Sequence, residues 1–130
     1  MAGKTKPKIR HLAIITLDPE RLAKFYESAF DMRRIPVAGA GGSAAVYMTD
    51  GYITLALLEN KAEGKPSGIN HFGFMVDDQD FYAERMAKLG VKPPRKRPAD
   101  RAFAETRGTD PDGNMFDLSV KGYDMDEAGK

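Results

Sequence analysis

The chain lacks several residue types on which common active sites depend. None of its 130 residues is cysteine, which excludes disulfides, thiolate nucleophiles, iron–sulfur clusters and cysteine zinc sites. It has only two histidines, so a transition-metal site would need both of them together with carboxylates. The formal net charge is only +1, which gives no field for binding nucleic acid. There is no apolar run of membrane-spanning length and no signal-peptide pattern, so we expect a cytoplasmic protein without a membrane partner.

The composition that remains is that of a globular protein. Hydrophobic residues make up 42% of the chain and charged residues 30%, enough to bury one core. We predict a single domain over residues 9–121, with flexible tails at residues 1–8 and 122–130. The basic run at residues 92–97 is interpreted as a solvated, proline-rich loop rather than as an anion contact.

Two segments of the chain, residues 9–32 and 69–91, are similar to each other. Their alignment places His11 on His71 and Asp18 on Asp78. In each segment a strand carrying the histidine precedes an aspartate that can cap the helix that follows it. Three further short strands are expected after each helix, at residues 34–37, 44–48 and 52–58 and again at 91–93, 103–107 and 114–120. The sequence therefore predicts two β-α-β-β-β repeats, at about residues 9–60 and 69–121.

Strand alternation separates three polar side chains from the apolar residues around them. His11 shares a strand face with Ala13, and His71 shares one with Gly73, whereas the opposite faces are large and apolar. Asp117 lies on the more polar face of the last predicted strand. Each residue alone has an ordinary explanation, as a hydrogen-bonded structural histidine or a solvated aspartate. The two histidines could also have been inherited through a duplication without having a function. Together they predict a metal site, because two imidazoles and one carboxylate suit non-haem Fe(II) and also accept Mn(II), Zn(II) or Ni(II).

This pattern resembles the vicinal oxygen chelate superfamily, which includes glyoxalase I, bleomycin-resistance and fosfomycin-resistance proteins, methylmalonyl-CoA epimerase and extradiol dioxygenases. The resemblance covers about residues 8–121. It depends on the segments IRHL at 9–12, the helix at 22–30, INHF at 69–72 and TDPDGN at 109–114 ahead of Asp117. It implies an α+β fold in which two βαβββ modules form an open, U-shaped mixed sheet with the helices outside. It also implies one divalent metal bound by His11, His71 and Asp117.

The resemblance further implies that short members form homodimers with modules paired across chains. One site would then take His11 from one subunit and His71 with Asp117 from the other. Whether the modules of this chain pair within or between chains stays open at this point.

Three departures from the family pattern bear on which of the family's activities this chain could have. Glyoxalase I and methylmalonyl-CoA epimerase have a fourth ligand, a glutamate, where this chain has Ala56 (or Leu55 in a shifted register). Fosfomycin-resistance enzymes carry a substrate-binding threonine where this chain has Ala13. Extradiol dioxygenases use a third histidine as acid–base residue and a glutamate where this chain has Asp117.

These features lead to a first hypothesis for function. We expect a metal-dependent enzyme most like an extradiol-type oxidoreductase, acting on a small molecule that chelates the metal, with Fe(II) favoured. The alternatives are a glyoxalase-like lyase or isomerase and a non-catalytic binding protein like the bleomycin-resistance proteins. Candidate residues for substrate contact or proton transfer are Tyr47, Tyr52, Arg101, Glu105 and Arg107. Arg101 and Arg107 are interpreted more readily as solvated charges at strand ends.

Overall fold

The computed structural model describes residues 6–36, 44–61, 66–92, 94–96 and 105–120, to which all structural statements refer. Along these residues the elements are β1 (Lys8–Thr16), α1 (Pro19–Phe30), β2 (Arg33–Arg34), β3 (Val46–Thr49), β4 (Thr54–Glu59), β5 (Gly68–Met75), α2 (Gln79–Lys88), β6 (Arg95–Lys96), β7 (Thr106–Thr109) and β8 (Met115–Ser119). Within the described residues, neither helix is long and apolar enough to cross a membrane.

All the strands belong to one open sheet with the order β2-β3-β4-β1-β5-β8-β7-β6. The two central strands, β1 and β5, are antiparallel, and each has a parallel neighbour, β4 or β8, on its other side. The predicted α+β fold with an open mixed sheet is therefore confirmed. In this structure the two halves of the sheet join through β1 and β5 of the same chain.

The two helices pack on the same face of the sheet, opposite the histidines. The core of the first half contains Ala23 of α1 against Met48, Leu55 and Leu57. In the second half, Tyr82 and Met86 of α2 pack against a cluster that includes Phe116 and Leu118. Among the helical residues, Pro19 and Ala23 of α1 are buried, whereas no residue of α2 is. The first helix is therefore the more firmly packed of the two.

Aspartates begin both helices, as the sequence predicts. Asp18 accepts a hydrogen bond from the backbone N–H of Arg21, and Asp78 accepts one from that of Phe81, each at 3.1 Å. These bonds satisfy N–H groups that have no partner within the helix.

Helix α1 ends in a residue that is poorly suited to its backbone conformation. Asp31 has φ 58°, in the left-handed region, and its N–H closes the helix on the carbonyl of Glu27. Glycine adopts this conformation without steric cost, and a negative charge at a helix C-terminus is unfavourable. We therefore expect Asp31→Gly to raise the free energy of unfolding by about 0.5 to 1 kcal/mol. Chemical denaturation measures this, and Asp31→Ala is the matched control, which should not stabilise the protein.

The strand after α2 lies later in the chain than predicted. Val91 and Lys92 do not form it, because the N–H of Val91 still bonds to the carbonyl of Met86 at the end of the helix, and the third residue of the predicted strand lies outside the described residues. The strand is β6, in which Arg95 pairs with Arg107 and Lys96 pairs with Thr106. The interpretation of the basic run at 92–97 as a loop is therefore wrong for Arg95 and Lys96.

Candidate metal centre

The register of three neighbouring strands brings the two histidines and the aspartate together. In the β1–β5 pair, His11 stands opposite Gly73 and Ala13 stands opposite His71. In the β5–β8 pair, Gly73 stands opposite Asp117. Because paired residues project from the same face of a sheet, the three side chains surround the space left by Gly73. Their ligand atoms all lie within 4.8 Å of one another, and the residues are buried, at 3%, 7% and 0% exposure for His11, His71 and Asp117.

Neighbouring side chains fix the orientation of both imidazole rings. Nδ1 of His11 lies 2.7 Å from Oγ1 of Thr54, whose hydroxyl donates in turn to the carbonyl of Arg10 at 3.4 Å. Nδ1 of His71 lies 2.7 Å from Oδ1 of Asn70. Both Nδ1 atoms thus act as donors, which makes Nε2 the nitrogen that can bind a metal in each neutral ring. Metal-binding histidines are commonly oriented in this way by the hydrogen bond of the other nitrogen.

The protonation states of the site also suit a cation. Burial lowers the pKa of His11 to about 4, helped by the neighbouring His71, so its ring is neutral at neutral pH. For Asp117, burial acts to raise the pKa, but the interactions with His71 and Arg107 outweigh it and the pKa lies below its usual value. Neutral imidazole and ionised carboxylate are the forms that coordinate metals.

The spacing of the donor atoms fits a divalent transition metal. Nε2 of His71 lies 3.1 Å from Oδ2 of Asp117. Two ligand atoms that bind one ion at about 2.1 Å and at right angles to each other would be about 3 Å apart. When the His71 ring is neutral, these two lone-pair atoms repel each other unless a cation lies between them or beside them. A positive charge next to these two atoms relieves that repulsion.

In the described structure, Arg107 supplies that charge. Its Nε donates to Oδ1 of Asp117 at 2.7 Å, and its Nη2 lies 3.2 Å both from Oδ2 of Asp117 and from Nε2 of His71. The interpretation of Arg107 as a solvated strand-end charge is therefore wrong, since its side chain is only 27% exposed. The sequence held a signal for this contact. The N–H of Asp110 bonds to the carbonyl of Asn114 in the turn between β7 and β8. Pairing the residues outward from this turn sets Arg107 opposite Asp117.

Glu105 contacts the end of β8 and not the three proposed ligands His11, His71 and Asp117, which are called the triad below. Its carboxylate accepts hydrogen bonds from Oγ of Ser119 at 2.6 Å, from the backbone N–H of Val120 at 2.8 Å and from the amide of Gln79 at 3.0 Å. These contacts join α2 to the end of the sheet, and they indicate an anchoring role.

The remaining candidates for substrate contact fall in different places. Tyr47 lies half-buried on β3, opposite Ala56, on the face that carries the histidines. Tyr52 lies in the turn before β4, is 47% exposed, and has the guanidinium of Arg10 at 4.2 Å from its ring centre. Arg101 lies outside the described residues. Among these candidates, Arg107 contacts two of the three proposed ligands directly, Asp117 and His71.

A cationic cavity lies beside the triad and shares Arg107 with it. Its volume is about 240 Å³, and its lining residues are Lys92, Arg95, Arg107, Gly108, Thr109 and Met115. Among the described residues that line it, three are cationic and none is acidic, so this cavity suits an anion.

The hydrogen bond from His11 to Thr54 gives a direct test of ring orientation. Thr54 is fully buried, and Thr54→Val keeps its shape while removing the acceptor for Nδ1–H. We expect metal affinity to fall about 10- to 100-fold, the usual effect of losing such a supporting partner. Isothermal titration with Zn(II) measures this. Thr54→Ser is the control and should retain most of the affinity, and an unchanged affinity in Thr54→Val would refute the assigned role.

Comparisons with known proteins give the same picture of family and fold. The family model for the Glyoxalase/Bleomycin resistance protein/Dioxygenase superfamily matches residues 8–118. The fosfomycin resistance protein FosX of Mesorhizobium japonicum is 32% identical over 120 residues, which cover 85% of this chain and 83% of that protein.

Solved structures with the same fold include proteins of different activities. Methylmalonyl-CoA epimerase from Mycobacterium tuberculosis has a TM-score of 0.65 at 15% identity, with 85% of each chain covered. The 2,3-dioxygenase LapB from Pseudomonas sp. KL28 has a TM-score of 0.66 at 18% identity, with 85% of this chain and 39% of that chain covered. At these identities the structures show the fold alone. The family match over most of the chain, supported by the FosX similarity, shows that the chain belongs to the Glyoxalase/Bleomycin resistance protein/Dioxygenase superfamily, the vicinal oxygen chelate superfamily that the sequence predicted.

Proposed function

We propose that this chain is a divalent-metal-dependent enzyme whose substrate is a small molecule carrying an anionic group next to an oxygen that binds the metal. The observation that carries the proposal is the buried His11–His71–Asp117 set in contact with Arg107, which also lines a cationic cavity. The set supplies ligands for a metal, and the cavity supplies charge for the rest of the substrate.

Each group has a distinct role in this proposal. A divalent metal bound by the triad would act as a Lewis acid at a substrate oxygen that gains negative charge during the reaction. Lys92 and Arg95 bind the anionic group and set the orientation of the substrate in the cavity. The burial of the triad keeps bulk water away from its charges, which strengthens their interactions.

The similarity to FosX makes fosfomycin the first compound to test. Fosfomycin is a small epoxide that carries a phosphonate, so it offers a metal-binding oxygen and an anionic group in one molecule. When water opens the epoxide, the water oxygen bonds to one epoxide carbon as the C–O bond of that carbon breaks. The departing oxygen gains negative charge and is then protonated, so that the product is a diol. The metal would stabilise that charge, while the phosphonate matches the cationic cavity.

The test is loss of fosfomycin followed by ³¹P NMR, with apoprotein and with protein loaded with Mn(II), Fe(II), Zn(II) or Ni(II). We expect metal-dependent turnover that Asp117→Asn removes. Arg95→Ala should mainly raise KM, because it lines the cavity and is not one of the proposed ligands. Turnover without metal, or metal-loaded protein that neither binds nor converts fosfomycin or another small phosphonate, would overturn the proposal.

A second candidate is the extradiol-type oxidoreductase favoured by the sequence. The supporting observation is the donor set itself, because two histidines and one carboxylate form the facial ligand set of many non-haem Fe(II) oxygenases. The sequence contains no third histidine for acid–base work. Oxygen uptake with a panel of catechols under Fe(II) separates this candidate from the first.

The other two alternatives have tests of their own. For the glyoxalase-like lyase or isomerase, Ala56 offers no fourth ligand, and turnover of a hemithioacetal is the deciding assay. For a non-catalytic binding protein, the deciding measurement is the metal content of protein purified without added metal. Absence of bound metal together with tight binding of an aromatic ligand would favour that alternative.

A homodimer is also proposed, on the resemblance alone. All three ligands belong to one chain in this structure, so the site does not require a second subunit. Sedimentation equilibrium determines the oligomeric state.

A further inference from the structure

Arg107 makes a bidentate ion pair with one proposed metal ligand and contacts another. Both carboxylate oxygens of Asp117 accept from it, and its Nη2 lies 3.2 Å from Nε2 of His71. We propose that Arg107 competes with the divalent metal for Asp117 and His71, and that its displacement towards the cationic cavity couples metal binding to anion binding. This inference rests on the metal centre of the proposed function.

Competition follows from the atoms that are shared. A metal would bind to a carboxylate oxygen of Asp117 and to Nε2 of His71. In the described structure, Nη2 of Arg107 already contacts both of these acceptor atoms. Two cations so close together repel each other strongly in a buried site. The Nη2 contacts must therefore break when an ion binds, and the energy of those charge-assisted hydrogen bonds is subtracted from metal affinity.

The neighbouring cavity offers Arg107 a place to move. Arg107 lines this cavity, and its side chain is 27% exposed, so it can reach the opening without unfolding β7. Lys92 and Arg95 line the same cavity, and they repel a third cation that moves towards them. An anion in the cavity compensates that repulsion and stabilises the displaced guanidinium.

Coupling between the two ligands is the consequence. An anion that stabilises displaced Arg107 removes the competitor from Asp117 and raises metal affinity. By thermodynamic linkage, the metal raises anion affinity by the same factor. Arg107 would then favour joint binding of the metal and an anionic substrate over binding of the metal alone.

An arginine with a purely structural role predicts a different result. If Arg107 only holds the ligands in place, its removal loosens them and weakens metal binding. Under our proposal, its removal strengthens metal binding while it destabilises the apoprotein, because Asp117 loses its partner. The two roles therefore give opposite signs for the same measurement.

The experiment uses the full chain and titrates Mn(II) into apoprotein by calorimetry, alongside thermal denaturation in EDTA. In Arg107→Met we expect a lower Tm of the apoprotein and a Kd for Mn(II) that is about tenfold lower. Arg107→Lys retains the charge without the bidentate geometry, so we expect an intermediate Kd. This variant also allows the test to be made if Arg107→Met does not fold. Lys96→Met is the matched control, because it removes an exposed cation of β6 that is not among the residues lining the cavity and has no described contact with a proposed ligand, and it should leave the Kd for Mn(II) unchanged.

A second titration, with inorganic phosphate present, tests the coupling. Phosphate should tighten Mn(II) binding in the wild type by a larger factor than in Arg107→Met. Equal or weaker Mn(II) binding in both Arg107 variants, or a phosphate effect of the same size in Arg107→Met, would overturn the inference and leave the metal centre standing. Failure of Mn(II), Fe(II), Zn(II) and Ni(II) all to bind the wild type and both variants would instead overturn the metal centre itself.

Discussion

Asp117→Ala is expected to remove metal binding and to destabilise the apoprotein in one step. Asp117 is the only carboxylate of the buried three-residue set, so we expect the Kd for Zn(II) to rise more than about 100-fold, beyond the effect of losing a supporting partner. The substitution also leaves Arg107 beside His71 without its counter-charge. Breaking a buried ion pair from one side costs about 3 kcal/mol. Calorimetric titration and urea denaturation in EDTA measure the two effects.

The double variant Asp117→Ala/Arg107→Met separates the two effects. When both partners are removed, no charge of this pair is left unpaired. The stability of the apoprotein should therefore recover in part, while metal binding stays lost. Asp117→Asn is a further control that keeps the shape of the side chain and removes its charge. Metal binding of wild-type strength in either aspartate variant would refute the ligand assignment.

Ala56→Glu is expected to make folding depend on metal. Ala56 is 1% exposed and stands between Ala13 and Tyr47 on the sheet face that carries His11. In the absence of metal, a carboxylate at this position is buried without a described partner, and we expect a loss of about 3 kcal/mol or more of stability. With metal present, the carboxylate is expected to act as the fourth ligand that the family resemblance places here. The Kd for Zn(II) should then fall about tenfold, and the Tm should rise on metal addition by more than in the wild type.

Ala56→Gln controls for the size of the new side chain. Its amide has nearly the same shape as the carboxylate but carries no charge and binds metal weakly. We expect it to destabilise the apoprotein without any gain in metal affinity. If the two variants respond to Zn(II) alike, position 56 does not reach the metal.

Local sequence patterns predicted the part of the site that depends on alternation and repetition. His11 and His71 occupy equivalent places in two similar segments, and side-chain alternation alone put each on the face away from the apolar residues. Asp18 and Asp78 marked the starts of both helices because a cap acts on the next few residues only. These signals are all local, so a single sequence contains them.

The missed features depend on pairing between strands. Arg107 lies at the triad because β7 and β8 pair in a register that sets it opposite Asp117, and its charge alone gave no hint of this. Glu105 is held by Ser119, Val120 and Gln79, which are brought together only when α2 and β8 meet. The sequence also left open whether the two modules pair within one chain or across two chains. The same strand pattern would suit a ladder between β1 and the β5 of its own chain or of a second copy.

The antiparallel ladder between β1 and β5 has a consequence for how the site responds to dilution. His11 lies on one of these strands and His71 on the other, and both belong to one covalent chain. Bringing the ligands together is therefore a unimolecular event that does not depend on how often two molecules meet. A monomer at nanomolar abundance would keep the same ligand geometry as the protein at millimolar abundance.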